Sequence, residues 1–269
     1  MFNHPVVVAK QLATMDHIGA GRVGLNLVAG WNRPEYEALG GQLPEDHETR
    51  YRYAQEWYNV IQRLWAEDEP FEFSGEFWQL ARTCSKPKPL VEKMPVINAA
   101  GSVQGREFAV RNADFLFTTV MSLEQTQVEI QALKQQAKAL GRSIGVMTLA
   151  SCFCRPTQSE AQEYYRHIVD QADEGAIDNI VEIMFANAES FPKDALAGLR
   201  ERFAAGHGGW PLIGTPDQVA DGIEKMAQAG LAGTVFGFVD YLQEMPYFAQ
   251  EVLPRLERKG LRKPRQMVA

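Results

Sequence analysis

The apolar positions of this chain change period several times. From Pro5 to His17 they recur at helical spacing, and the run breaks at Gly19 and Gly21. Val23 to Ala29 reads as a buried strand. A long polar segment follows, punctuated by Gly40, Gly41 and Pro44. The helical period returns between Tyr51 and Trp65, where Ala54, Trp57, Tyr58, Ile61, Leu64 and Trp65 share one face. Residues 66–94 have no regular period. Phe71, Phe73, Phe77, Trp78 and Leu80 there predict a packed excursion with a short hairpin.

A regular alternation then begins. Strands are predicted at 95–100, 114–119, 144–154 and 233–239, and helices at 103–112, 122–140, 156–174, 216–229 and 246–259. Residues 175–210 read as an insertion rich in apolar and small residues. Gly141 and Gly230 stand where helix C-caps fall, because glycine enters the left-handed region at little cost. Thr157 ahead of Glu160, and Thr215 ahead of Pro216, read as helix starts. Apolar strands alternating with long helices predict an α/β fold of parallel strands covered by helices. Counting the strand at 23–29, five such strands are expected. A closed barrel of this type takes about eight, whereas five suffice for an open doubly wound sheet.

Composition narrows the classes. The formal net charge of −7 argues against a nucleic-acid backbone as partner, since Lys and Arg make those contacts. The basic run Arg258, Lys259, Arg262, Lys263 and Arg265 reads as a solvated tail. Cys84, Cys152 and Cys154 form no disulfide framework; Cys152 and Cys154 share a strand face and read as small core residues. No histidine cluster accompanies them, so no metal site is expected. The sequence shows no membrane-spanning stretch and no secretory leader, and a cytoplasmic setting is expected.

The candidate chemistry lies at strand ends, where such folds gather their sites. Asn26, Asn98, Gly101 and Ser102 occupy these ends. In the run Ala100-Gly101-Ser102, glycine allows close approach of the backbone, and the next helix directs its positive end outward. The run suits a phosphate site or simply a tight turn, with Arg106 one helical turn further in. It matches neither a dinucleotide GxGxxG nor a Walker loop. His47, Arg50 and Tyr51 concentrate polarity at a helix start, and His47 can cap, bind substrate or exchange protons. Trp31 suits an apolar substrate wall or the core. The segment from His207 to Pro211 suits a lid, a pocket wall or a plain connection. Asp240 and Tyr241 end the last strand. No G-x-S-x-G elbow or H-E-x-x-H pair is present.

Four blocks carry a resemblance: HPVVVAKQLATMDHIGAGRVGLNLVAGWN (4–32), ETRYRYAQEW (48–57), NAAGSVQGREFAVRNAD (98–114) and LIGTPDQVA (212–220). In this order they resemble the bacterial luciferase-like, flavin-dependent monooxygenases. The resemblance implies a TIM-barrel (β/α)8 fold, reduced FMN (FMNH2) from a separate NAD(P)H-dependent flavin reductase, and O2. It also implies a flavin C4a-hydroperoxide that inserts one oxygen atom into a small organic substrate. By the same resemblance Asn26, Glu35, Arg50, Tyr51, Ala100, Gly101 and Ser102 bind the cofactor. His47 and Tyr51 are the implied catalytic pair, and Trp31 and His207 the implied substrate pocket. The closest likeness is to sulfone and sulfonate monooxygenases, with pyrimidine-ring monooxygenases next, and Arg33, Arg50 and His207 are the available polar donors.

Members of this family carry three βα units ahead of the segment that opens this chain. The expectation is therefore one luciferase-like domain over 1–269, N-terminally truncated to about five βα units, with 175–210 inserted in it. Exposed sheet edges then predict a homo-oligomer. A noncatalytic flavin-binding or oligomerising remnant is the alternative to an enzyme. A deazaflavin-dependent oxidoreductase is a third reading.

Overall fold

The computed structural model describes residues 3–185 and 193–264. Its contacts group the chain into two compact units, 1–116 with 140–144, and 117–139 with 145–269.

In the first unit, helix α1 (Pro5–Ile18) packs on helix α3 (His47–Ala66). His4 caps α1, its Nδ1 accepting from the Val6 N–H at 3.2 Å. Ala9, Val60, Ile61, Leu64 and Phe71 are buried together at the centre of this packing. Strand β1 (Leu25–Leu27) lies parallel to β4 (Val96–Ala99), with Leu25 opposite Val96 and Leu27 opposite Asn98. Both strands are shorter than the runs 23–29 and 95–100. The expected hairpin forms from β2 (Phe71–Ser74) and β3 (Gln79–Thr83). The Glu56 carboxylate holds its turn by accepting from the N–H groups of Glu76, Phe77 and Trp78 at 2.7–2.9 Å.

The polar segment after β1 contains a short helix, α2 (Arg33–Ala38), started by the Asn32 side chain and Pro34. Helix α3 begins at His47, four residues earlier than the hydrophobic period indicates. The Asp46 carboxylate caps it, accepting from the Thr49 N–H at 2.7 Å. Helix α4 (Val103–Asn112) follows β4, and β5 (Phe115–Phe117) falls at the division between the units.

The second unit is organised on β6 (Gly145–Cys154). β7 (Trp210–Gly214) and β8 (Gly233–Gly237) both pair with it in parallel. Helix α5 (Leu123–Ala139) precedes β6 and α6 (Gln158–Asp170) follows it. Helix α7 (Glu174–Phe185) and helix α8 (Lys193–Gly206) occupy most of the expected insertion. Residues 186–192 of that insertion lie outside the described residues. The insertion ends on β7, a strand the five-strand count omits. Helix α9 (Pro216–Gln228) starts on a capping box at Thr215 and Gln218, as α6 does at Thr157 and Glu160.

The expected helix 246–259 is two helices, α10 (Tyr241–Glu251) and α11 (Leu253–Arg258), the second opening at Leu253-Pro254. Arg265 of the basic run lies outside the described residues. No helix among the described residues is long and apolar enough to cross a membrane.

Candidate cofactor site

The turn from β4 into α4 brings several of the sequence-selected residues together. Ser102 is the N-cap of α4, and its Oγ accepts from the Gly105 N–H at 3.2 Å. The first-turn N–H groups of Val103 and Gln104 have no intrahelical acceptor and face out of the helix start. Space beside Gly101 is open, since a Cβ built there meets nothing within 4 Å. Tyr51 reaches this turn from α3, its hydroxyl lying beside Ser102 and Gly105. A Cβ on Gly105 would fall on the Tyr51 hydroxyl and 2.5 Å from the Ala100 Cβ. Tyr51 thus lies on the helix start, its ring also 5.6 Å from that of Phe108. Burial raises the Tyr51 pKa, which keeps the phenol protonated and able to donate.

Arg50 sits differently from an open ligand contact. It is 2% exposed, and its guanidinium donates to the carbonyls of Gly30 (3.2 Å), Glu45 (3.1 Å) and Asp46 (3.4 Å). Burial, and then Arg33, lower its pKa. Arg50 therefore closes residues 30–46 into a compact loop. Gly30, at φ +100°, makes this closure possible, because a Cβ there would meet the Tyr36 hydroxyl and lie 2.9 Å from Leu43. Arg33 donates to the Leu43 carbonyl at 3.5 Å in the same loop.

Glu35 and Trp31 are exposed on this loop. His47 is half-buried at the first position of α3, one helical turn ahead of Tyr51. Asn26 is exposed on β1, opposite Ile97. Together with Leu25, Leu27, Val28, Tyr53 and Trp57 it lines a cleft of about 220 Å³. Asn98 is fully buried, donates to the Leu27 carbonyl at 2.8 Å and ties the ends of β1 and β4 together.

His207 belongs to the second unit, at φ +50° with its ring edge-on to Phe203. The residues around it are packed down: a Cβ on Gly209 would lie 2.5 Å from Ser151 Oγ, and Ser151 donates to the Gly206 carbonyl at 3.0 Å. Asp240 caps α10 by accepting from the Leu242 and Gln243 N–H groups, and Tyr241 donates to the Phe236 carbonyl at 3.3 Å. Cys152 and Cys154 are buried in β6, as the strand alternation predicts, and burial pushes the Cys154 thiol up to about 11.

Gly105 was not singled out by the sequence. The tightest contact at the helix start depends on it, and only the small residue inside a helix start pointed that way. Of the cleft residues, Trp57 reads from sequence as part of an apolar helix face, and Tyr53 carries no sequence signal of its own.

The architecture and the helix-start cradle define an α/β protein with a candidate phosphate site at a strand-to-helix turn. The luciferase-like monooxygenase family matches residues 1–233, and the chain belongs to that family, with its TIM-barrel type of fold. An FMNH2-dependent dimethylsulfone monooxygenase of Pseudomonas fluorescens (strain Pf0-1) is 31% identical over 260 residues, covering 93% of this chain and 69% of that protein. The pyrimidine monooxygenase RutA of Escherichia coli O127:H6 is 29% identical over 262 residues, 94% of this chain and 71% of that protein. Among solved structures, riboflavin lyase RcaE with modified FMN and riboflavin has a TM-score of 0.85 at 21% identity. The likeness covers 97% of this chain and 69% of that one.

Proposed function

We propose that this chain is an FMNH2-dependent monooxygenase acting on a small organic substrate, with sulfones and sulfonates as the favoured class. The observation that carries the reading is the helix-start cradle: open space at Gly101, the Ser102 hydroxyl, unpaired first-turn N–H groups, and Tyr51 beside Ser102. Neutral donors converging on a helix N-terminus suit a phosphate dianion, so the residues present fit the phosphate end of FMN. Reduced FMN, when bound, supplies the two electrons with which O2 yields one oxygen atom to substrate and one to water.

The chain's own residues bind, orient and shield. Ser102 and the first turn of α4 take the phosphate, Ala100 and Gly101 let it approach, and Tyr51 stands beside the Ser102 hydroxyl. Asn26 offers an amide at the end of β1 to the ring system. Arg50 acts by holding the 30–46 loop closed, which sets the positions of Trp31 and Glu35. His47, one turn from Tyr51, is the group placed to exchange a proton. No step is assigned to His207. A separate NAD(P)H-dependent reductase delivers the reduced flavin.

The test is turnover with a flavin reductase, NADH and ¹⁸O₂, using dimethyl sulfone, methanesulfonate and uracil as substrates. One ¹⁸O atom in product from either sulfur compound supports the reading. Labelled product from uracil alone moves it to the pyrimidine class, which the relative in Escherichia coli favours. Reduced-flavin binding without labelled product makes the chain a noncatalytic remnant.

A further inference from the structure

One half-buried cation in the second unit has no role in the reading above. Arg202, on α8, donates through Nε to the Gly209 carbonyl at 3.1 Å and through Nη1 to the Val120 carbonyl at 2.9 Å. The Met121 sulfur lies 3.9 Å from Nη1, and the Trp210 ring centroid is 5.2 Å from the guanidinium carbon. Nη2 is buried and has no hydrogen-bond partner. Several other arginines find acids: Arg155 pairs with Glu244, Arg63 with Glu67 and Arg255 with Asp217. No ion pair to Arg202 exists among the described residues.

The charges around Arg202 do not compensate it. Tyr165 on α6 is the ionisable neighbour, and burial and its bond to Glu201 raise its pKa, so it stays neutral. The Glu201 carboxylate is engaged by the Tyr165 hydroxyl at 2.8 Å. A guanidinium nitrogen buried with both of its N–H bonds unused is a costly arrangement without an acceptor. Its remaining fork geometry matches an oxygen of a carboxylate, sulfonate or phosphate.

The cover is adaptable. Met121 is unbranched and half-buried, and its thioether touches Nη1, on the same guanidinium as the free Nη2. Val120 and Met121 follow β5, at the strand-end side where α/β folds take ligands.

We infer that Arg202 forms the base of a small-oxyanion subsite, its free Nη2 taking a sulfonate, carboxylate or phosphate oxygen once Met121 turns aside. The inference does not depend on flavin chemistry. It fails or holds on anion binding alone, whatever becomes of the monooxygenase reading.

The experiment is a thermal-unfolding titration of the full chain with sodium methanesulfonate, against sodium chloride at matched ionic strength. The expected result is a saturable rise in Tm with methanesulfonate that chloride does not give. Arg202→Met should abolish it, and Arg202→Lys, which keeps the charge but loses the fork, should raise the half-saturating concentration at least tenfold. A wild-type response equal to that of chloride overturns the proposal, and so does an unchanged response in Arg202→Lys. These two results decide even if Arg202→Met does not fold. Competition identifies the source. Displacement by FMN but not riboflavin assigns the subsite to a flavin phosphate, and displacement by neither assigns it to a substrate or product anion.

Discussion

Gly105→Ala is the sharpest test of the cradle, because it leaves every proposed phosphate donor in place. The new methyl would fall on the Tyr51 hydroxyl, 3.0 Å from Tyr51 Cζ and 2.5 Å from the Ala100 Cβ. Tyr51 must leave Ser102, or the start of α4 must shift. Replacing glycine by alanine in a helix gains about 1 kcal/mol from propensity. Overpacking of this kind costs roughly 1–3 kcal/mol, so the net change in stability is a loss of about 0–2 kcal/mol. The effect on phosphate is larger. Losing one well-placed hydrogen bond to a charged group costs about 1.5–3 kcal/mol, a factor of roughly 10–150 in affinity.

The assay is the ratio of affinities for FMN and riboflavin, read by quenching of flavin fluorescence, because the ratio isolates the phosphate. Wild type should prefer FMN, and the preference should fall at least tenfold in Gly105→Ala and similarly in Tyr51→Phe. A preserved ratio alongside a lowered Tm would refute the cradle and leave Gly105 a packing residue.

Arg50→Met should lower stability by about 2–4 kcal/mol, since three backbone carbonyls lose a buried charged donor; chemical denaturation measures this, and a change under 0.5 kcal/mol would count against loop closure by Arg50. Thr215→Ala removes a capping box and should cost about 1 kcal/mol in the same assay, with flavin affinity unchanged. Cys154, with its thiol pushed up to about 11, should resist alkylation at pH 8 in the folded protein and react at the rate of global unfolding. The native state holds the Cys154 proton more tightly than the unfolded chain, so this contribution is present below pH 9 and is lost as pH rises towards about 11. A pH-independent stability across that window would contradict it.

What was legible in the sequence was mostly local. Thr157 and Thr215 announced the starts of α6 and α9, because a capping box is written within four residues. Gly141 and Gly230 take the left-handed backbone their positions required, at φ +69° and +95°. The short helix α2 was also written locally, in Asn32 followed by Pro34, but the polar composition around it masked the signal. α10 begins at Asp240, a capping residue, whereas Pro246 within the helix suggested a start there. β7 was hidden because Trp210-Pro211 looks like a connection; its strand character comes from pairing with β6.

The candidate site divides the same way. Ser102 at a strand-to-helix turn was readable from spacing. The burial of Arg50 was not, because its partners are backbone carbonyls that a sequence does not display. The fit of Tyr51 on Gly105 joins residues more than fifty positions apart, and no periodicity encodes it.

The pairing of β6 has a consequence for how the chain is made. Its stretch Gly145–Cys154 carries no charge, and Ala150 and Ser151 each pair with both β7 and β8. The second of these partners is translated roughly 80 residues later, which at about 5–20 residues per second leaves the β8 edge of β6 without its partner for roughly 4–16 s on the ribosome. During that interval an apolar, uncharged strand with one open edge stands in the nascent chain, a feature that invites wrong pairing. The yield of folded protein should therefore depend on holdase chaperones during synthesis, and on translation speed between β6 and β8.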